Sequence, residues 1–468
     1  MKRTPGLYRA AVFVSGMVCT SIATATTGYF ALGYGAKAMG MAGAVVSNPQ
    51  DSIAAATNPA GMALVGERVD VGIRFFSPIR EAEITTSAVG AGSNFGTPFD
   101  VADQSRRNMH YIPNAGYTSR INDRLYWGIS VYGNGGMNTT YDRNLYDQTA
   151  AVLFNPSGPG ATPAGVGTGA PQTGKLGVDL AQVLFTPTIA MKLNDRHAVG
   201  ATLIIGSQRF SARGLGNFQC LTTDVQANPA GCATGYPVTP SDGLTDNSSD
   251  ITYGAGVRLG WIGEITSTVT LGATVASKVY MKEFGDYDNL FAEQGDFDVP
   301  ANFAVGATFK ATPKLKLSLD FQRILYEGVK SLSNPGPVAS AFGPVPNPPT
   351  TGFLGADNGL GFGWEDINVY RIGMEYAYDS NWTLRAGLAV NDQPIPKDEV
   401  LFNILAPAVI EKHLTLGFTY QPDGSSEWNF AYMHGFEESI TDDATAFGVP
   451  ATIKMYQNSV DISYSRKF

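Results

Sequence analysis

Charge is scarce in this chain, and so are cysteine, histidine and long apolar runs. Only 16% of its 468 residues are Asp, Glu, Lys or Arg, against roughly 25% in an average soluble domain. That excludes a charged disordered chain. Beyond residue 25 no apolar run reaches the roughly 18 residues that a membrane-spanning helix needs, which excludes a helical membrane protein. Three cysteines are too few for a disulfide scaffold. The four histidines, at 110, 197, 413 and 434, form no H-x-x-x-H pair or Cys/His cluster, so no metal centre is expected. Neither a Walker loop nor a dinucleotide fingerprint occurs, and no Ser stands in an evident triad with His110 or His434, so no cofactor and no enzyme activity are expected. The net charge is -9, with no dense Lys/Arg patch, and such a surface repels nucleic acid.

Glycine and aromatics are plentiful: 54 Gly, 25 Phe and 21 Tyr. From about residue 67 onward the dominant pattern is strict alternation. Leu315, Leu317, Leu319 and Phe321 interleave with Lys316, Ser318, Asp320 and Gln322; Leu414, Leu416, Phe418 and Tyr420 interleave with Thr415, Gly417 and Thr419. Period two means strands with one apolar face. These strands run about ten to fourteen residues, longer than the usual five or six of soluble sheets and long enough to cross a bilayer at a tilt. The opposite faces carry Gly, Ser, Thr, Asn and scattered charges, as the inside of a membrane barrel does.

The expected strands are 67–80, 108–119, 124–135, 178–192, 198–212, 251–262, 267–280, 299–309, 315–327, 364–377, 382–391, 411–420, 427–437 and 455–468. Short and long connections alternate between them, which puts both barrel ends on one side, with short turns there and long loops opposite. Hydrocarbon demands that every backbone N–H and C=O be paired internally, and only closure of the sheet achieves that. The expected fold is therefore all-β, a 14-stranded antiparallel transmembrane barrel over 67–468. One such chain closes its own sheet, so a monomer is expected. Tyr and Trp near the strand ends suit the two bilayer interfaces. The terminal strand Val460, Ile462, Tyr464, Phe468 is of the kind handled by outer-membrane assembly machinery.

Residues 1–25 read as a signal peptide: Lys2, Arg3 and Arg9 precede the apolar Ala10–Val18, and Ala23-Thr24-Ala25 is a cleavage site. Cys19 leaves with it. Cys220 and Cys232 then remain in a polar, Gly/Pro-rich loop, where export favours one disulfide. Residues 26–66 do not alternate and are rich in Gly, Ala and Met. Asp51 can cap a short helix, which Asn58-Pro59 ends. The composition favours a plug in the lumen over a periplasmic tail.

Asn48-Pro49-Gln50-Asp51-Ser52 and Thr57-Asn58-Pro59-Ala60-Gly61-Met62, then Ile112-Pro113-Asn114-Ala115-Gly116-Tyr117 with Asp123-Arg124-Leu125-Tyr126-Trp127-Gly128, and later Trp382-Thr383-Leu384-Arg385-Ala386-Gly387, resemble the FadL/TodX/OmpP1 family. This is the family of long-chain fatty acid and aromatic hydrocarbon transporters of Gram-negative outer membranes. The resemblance implies a 14-stranded barrel with an N-terminal hatch carrying the Asn58, Pro59, Ala60, Gly61 motif. It implies passive inward transport of a hydrophobic small molecule captured among the external loops. Release follows hatch movement, through an opening at a kink in the third strand.

Gly128, Gly133, Gly135 and Gly136 are the candidates for that opening, since glycine interrupts ladder packing; Gly135 and Gly136 read equally as the start of the following loop. Burial of an alkyl chain contributes about 0.8 kcal/mol per CH₂, so an apolar path past the lipopolysaccharide is expected rather than an aqueous pore. Leu145, Leu153 and Phe154 in one external loop, and Leu401, Phe402 and Leu405 in another, are the candidate capture residues. They serve equally to pack the barrel mouth shut. A carboxylate headgroup would select a cation, for which Arg209, Arg213 and Arg385 are candidates; Arg385 fits equally an interior ion pair. A general porin and a surface adhesion barrel are the alternative functions.

Overall fold

The computed structural model describes residues 27–85, 100–146, 174–224, 242–337, 352–446 and 448–468. Its strands are β1 Arg68–Thr85, β2 His110–Arg120, β3 Leu125–Asn138, β4 Gly177–Lys192, β5 His197–Arg213, β6 Asp250–Glu264, β7 Val269–Ala276, β8 Asn302–Thr312, β9 Leu315–Ile324, β10 Ile367–Ala377, β11 Trp382–Asn391, β12 Lys412–Tyr420, β13 Ser426–Asp442 and β14 Ala451–Lys467. Each pairs antiparallel with its sequence neighbours. β14 pairs with β1 from Arg68–Lys467 to Ile84–Ala451, which closes a 14-stranded barrel.

The strand ends fall within a few residues of the alternation, except at the long-loop end. There β1 continues to Thr85 against a side ribbon, Asp100–Gln104, and β13 and β14 stay paired out to Asp442–Ala451. These extensions carry Glu81, Glu83, Glu437, Glu438 and Lys454. Above the lipid the outer face meets water, while Ala82, Ile84, Ala451 and Ile453 on the inner face are buried in the apolar cluster of the loops, so the alternation reverses its sense rather than ending. β7 breaks after Ala276, and Tyr280–Met281 resumes its ladder on β6.

All six short turns use one device. A side-chain oxygen of Asn122, Asn194, Thr266, Thr312, Asp379 or Asp423 accepts the backbone N–H groups two and three residues ahead, at 2.7–3.3 Å. Such residues imitate a backbone turn and tie the hairpin at its tightest point.

Apolar side chains that would be buried in a soluble protein stand outside. Leu203, Val257, Leu259, Val275, Leu319, Leu388 and Leu416 are each about half exposed, and Tyr253, Tyr280, Tyr378 and Trp428 lie towards the ends of the wall. This is the lipid face. A depression of about 760 Å³ lined by Leu271, Val305, Leu319, Ile372 and Leu388 belongs to this face, where acyl chains meet the wall.

Residues 27–66 fill the inside. Ser52 lies against Gly116 of β2, Pro59 against Gly200 of β5, Val46 against Gly272 of β7 and Met41 against Gly387 of β11. The amide of Ala42 donates to Thr415 Oγ1 of β12 at 3.0 Å, and that of Val46 to the Asp320 carboxylate of β9 at 2.8 Å. Only a body within the lumen touches strands all round the ring. Inward glycines admit it: a Cβ on Gly200 would lie 2.4 Å from the carbonyl carbon of Pro59, and one on Gly387 2.4 Å from that of Met41.

Candidate functional site

Asn58 begins a 3₁₀ turn, Pro59–Ala63. Its Oδ1 accepts the Ala60 amide at 3.1 Å, while Nδ2 donates to the carbonyls of Val46 and Trp261 at 2.9 and 3.0 Å. One side chain thus caps the turn and ties it to β6. Pro59 suits the first helical position because no amide is needed there. Asp51 Oδ1 accepts the Ile53 amide at 3.0 Å, at the head of a 3₁₀ turn, Ala54–Ala56, rather than an α-helix.

The wall is split at one seam. β2 and β3 pair only from Arg120–Tyr126 to Ala115–Val131, although β2 begins at His110 and β3 continues to Asn138. Past this point β2 still pairs with β1 and β3 with β4. The β3–β4 register shifts by one residue between Gly133 and Gly135, so Asn134 is the extra residue of a bulge, a device that bends a strand. The freed edge of β3 takes a partner from the N-terminal segment. Ala31 N–H donates to Asn134 O at 3.0 Å, and Gly136 N–H to Tyr29 O at 3.3 Å. A Cβ at Gly135 would lie 2.0 Å from Tyr29 O. Gly133, Gly135 and Gly136 thus sit at the split, and the last two are strand residues rather than the start of a loop. Gly128 does not belong with them. It pairs with Thr118 in the intact part of the ladder, and its missing side chain makes room for Met62.

Above the split the long loops bury an apolar cluster. Leu145, Leu401 and Leu405 are at most 5% exposed, and Phe402 packs against them. The two loops predicted to capture a solute do meet: Tyr146 hydroxyl donates to Leu401 O at 2.7 Å and Tyr141 hydroxyl to Ile404 O at 3.0 Å. Phe402 and Leu405 line a narrow apolar cavity of about 30 Å³ with Phe210, Phe218, Phe291, Leu354 and Phe362. The latter residues come from β5 and from three other loops. They carry the same signal, apolar residues in external loops, but it is diluted by the Gly, Asn and Asp around them. Tyr29 and Phe30 belong to this cluster too. Tyr326 hydroxyl holds them, accepting the Tyr29 amide at 3.2 Å and donating to Thr27 O at 2.6 Å.

The headgroup candidates lie elsewhere. Arg385 is buried and pairs with Glu375 at 2.9 Å, donating also to Thr419 Oγ1 at 2.7 Å; a charge in the lumen needs a partner, and this one has it. Arg209 pairs with Asp179 at 3.0 Å on the outward face of β5, and Arg213 is exposed beyond it on the same face. The pleat points both away from the cavity. Leu153, Phe154, Cys232, the side chain of Cys220 and residues 1–25 lie outside the described residues.

The chain matches the outer membrane protein transport family (OMPP1/FadL/TodX) over residues 17–153 and 169–465. It is 25% identical over 378 residues to a long-chain fatty acid transport protein of Escherichia coli O6:H1, covering 76% of this chain and 77% of that one. Its fold is similar to that of the toluene transporter TodX of Pseudomonas putida, with TM-score 0.66 and 17% identity over 93% of this chain and 99% of that one. It is similar also to a FadL homologue of Pseudomonas aeruginosa, with TM-score 0.62 and 16% identity over 94% and 100%. Matched over most of its length and closed as the same kind of barrel, the chain belongs to the OMPP1/FadL/TodX family and is an outer-membrane protein of a Gram-negative bacterium.

Proposed function

We propose that this protein takes up hydrophobic small molecules, long-chain fatty acids or related hydrocarbons, passively across the outer membrane. The solute leaves the lipopolysaccharide for the apolar loop cluster, and residues 27–66 act as a hatch beneath it. One observation carries the reading: Tyr29 and Phe30 form part of the apolar cluster, and the same stretch, Tyr29–Ala31, occupies the free edge of β3 at the split. A solute that displaces these residues enters the cluster and uncovers the wall opening in one movement. The path then leads sideways into the bilayer, where apolar surface stays out of water. The relatives named as fatty acid and toluene transporters support the substrate class, and a lumen filled by the hatch argues against a general porin.

The test is uptake by cells that lack their own transporter, given a fatty acid, an alkane and a monoaromatic. Expression of the chain is expected to raise uptake of at least one of them several-fold. A correctly inserted barrel that raises none removes the assignment. A large, steady ion conductance would favour a porin, and surface adhesion that survives deletion of the hatch, with no uptake of any of the three, would favour an adhesion barrel.

A further inference from the structure

Two arginines of the inner wall share one cavity, and neither has a counter-ion in contact. Arg258 of β6 is 5% exposed and Arg371 of β10 is 7% exposed. Among the described residues no carboxylate lies within ion-pair distance of either. Other buried arginines of the lumen differ: Arg74 pairs with Asp461 at 2.9 Å, Arg68 with Asp70 at 2.7 Å, and Arg385 with Glu375 at 2.9 Å. Arg258 Nη1 donates to the Ala55 carbonyl of the hatch at 3.3 Å, and Arg371 Nη2 to Gln322 Oε1 at 2.7 Å. The Nε of each has no protein partner. Asp320 of β9 attracts Arg371 from beyond ion-pair distance and accepts the Val46 amide instead. Two guanidiniums and one carboxylate leave one positive charge over. An uncompensated buried charge is strongly unfavourable, and inside a membrane protein it points to a functional site.

The cavity sets the size and sign of what answers that charge. It measures about 30 Å³. One water needs roughly 10–15 Å³, so a monatomic ion fits, whereas a phosphate or an acid with its alkyl tail does not. Thr274, Asn302 and Gln322 line it with the two guanidiniums, and Gln322 Nε2 donates to Asn302 Oδ1 at 3.2 Å. The walls are therefore polar and partly fixed in advance. The opposite side is the hatch, through Tyr34, Gly43 and Thr57. A Cβ on Gly43 would lie 3.2 Å from Arg371 Nε, so the glycine leaves that N–H uncovered. An anion of single charge placed here touches hatch and wall together and balances the excess.

We infer that the cavity between Arg258 and Arg371 binds one chloride ion, which fastens the hatch to the wall across β6–β10. This goes beyond the uptake reading and stands without it. The first test is a crystal of the full chain grown with sodium bromide in place of chloride. An anomalous peak is expected in contact with both guanidiniums, and Arg258→Gln should lose it. The second is amide exchange in chloride and in gluconate, at equal pH and ionic strength. The Ala42 and Val46 amides are bonded to the wall. At a chloride concentration about ten times Kd they should exchange about ten-fold more slowly than in gluconate, and Arg258→Gln should remove the difference. A cavity that holds water alone overturns the inference. So does a bromide peak without the chloride effect on exchange, which marks an adventitious ion only. A chloride effect that Arg258→Gln retains overturns it too. If Arg258→Gln does not insert, the wild-type peak and the wild-type exchange together decide.

Discussion

Two single residues show how the interior is tuned. Gly200 faces inward on β5 with the Pro59 carbonyl carbon 2.4 Å from where its Cβ would stand. Overpacking of this kind costs about 1–3 kcal/mol, and Gly200→Val is expected to push the hatch off the wall. Planar-bilayer recordings should show a several-fold rise in ion conductance, while Ala201→Val on the exposed face leaves it unchanged. The second residue is Glu399, beside the external helical turn Val400–Asn403. Burial pushes its carboxyl up to about 7, although it accepts the Gly336 amide. Between the ordinary value, near 4.5, and pH 7 the packed loop therefore holds a proton that the opened loop releases. Its stability is greatest at the acid end and falls as pH rises through 7. The Ile404 amide, bonded to Val400 O, should lose exchange protection from pH 5 to pH 8 after correction for intrinsic rates. Glu399→Gln should flatten that dependence. Asn58-Pro59 was legible in the sequence because capping is local chemistry. The role of Gly200 was not, since an inward glycine reads as filler until the lumen has contents.

At the level of elements, β3 is the strand that leaves a sequence neighbour partway along its length. Its glycines were legible as an interruption, but which neighbour it abandons was not, because pairing is a property of two strands. β3 leaves β2 after Val131 and shifts its register on β4 by one residue at Asn134, and the hatch supplies the missing partner. Gly135→Ala would set a methyl group 2.0 Å from Tyr29 O and should break that pairing. The Gly136 amide is then expected to exchange at least about ten-fold faster, with the amides of the intact β2–β3 ladder unaffected; equal protection would show that the contact tolerates the methyl. The loops follow the same division. Leu401 and Leu405 stood out as a continuous apolar run, whereas Phe218, Phe291 and Phe362 reach the same cluster from separate loops. Only the folded mouth brings them together.

For the whole molecule, the question is whether the hatch must move. It is bound to the wall through the Val46–Asp320 bond and, at the short-turn end, by a buried network. There Lys37 pairs with Glu427, which also takes Arg68 at 2.9 Å, and Ser52 donates to Asp70. Ser47 Oγ and Thr308 Oγ1 of β8 lie 2.7 Å apart, close enough for Ser47→Cys with Thr308→Cys to form a disulfide. Oxidation of that double variant is expected to abolish uptake, and a reductant to restore it; uptake that persists under full oxidation would mean that this part of the hatch stays in place during transport. The alternation of greasy and polar residues, the strand lengths, the two kinds of connection and the side-chain-tied turns are local regularities. They sufficed to specify a closed barrel of this size, because hydrocarbon leaves no other arrangement for so many backbone groups. The split between β2 and β3, the strip Tyr29–Ala31 that pairs with the freed edge and the Lys37–Glu427 ion pair depend on residues far apart in the chain. Pairing partners and counter-ions are defined by distance in space, so these were decided only when the ring closed around its contents.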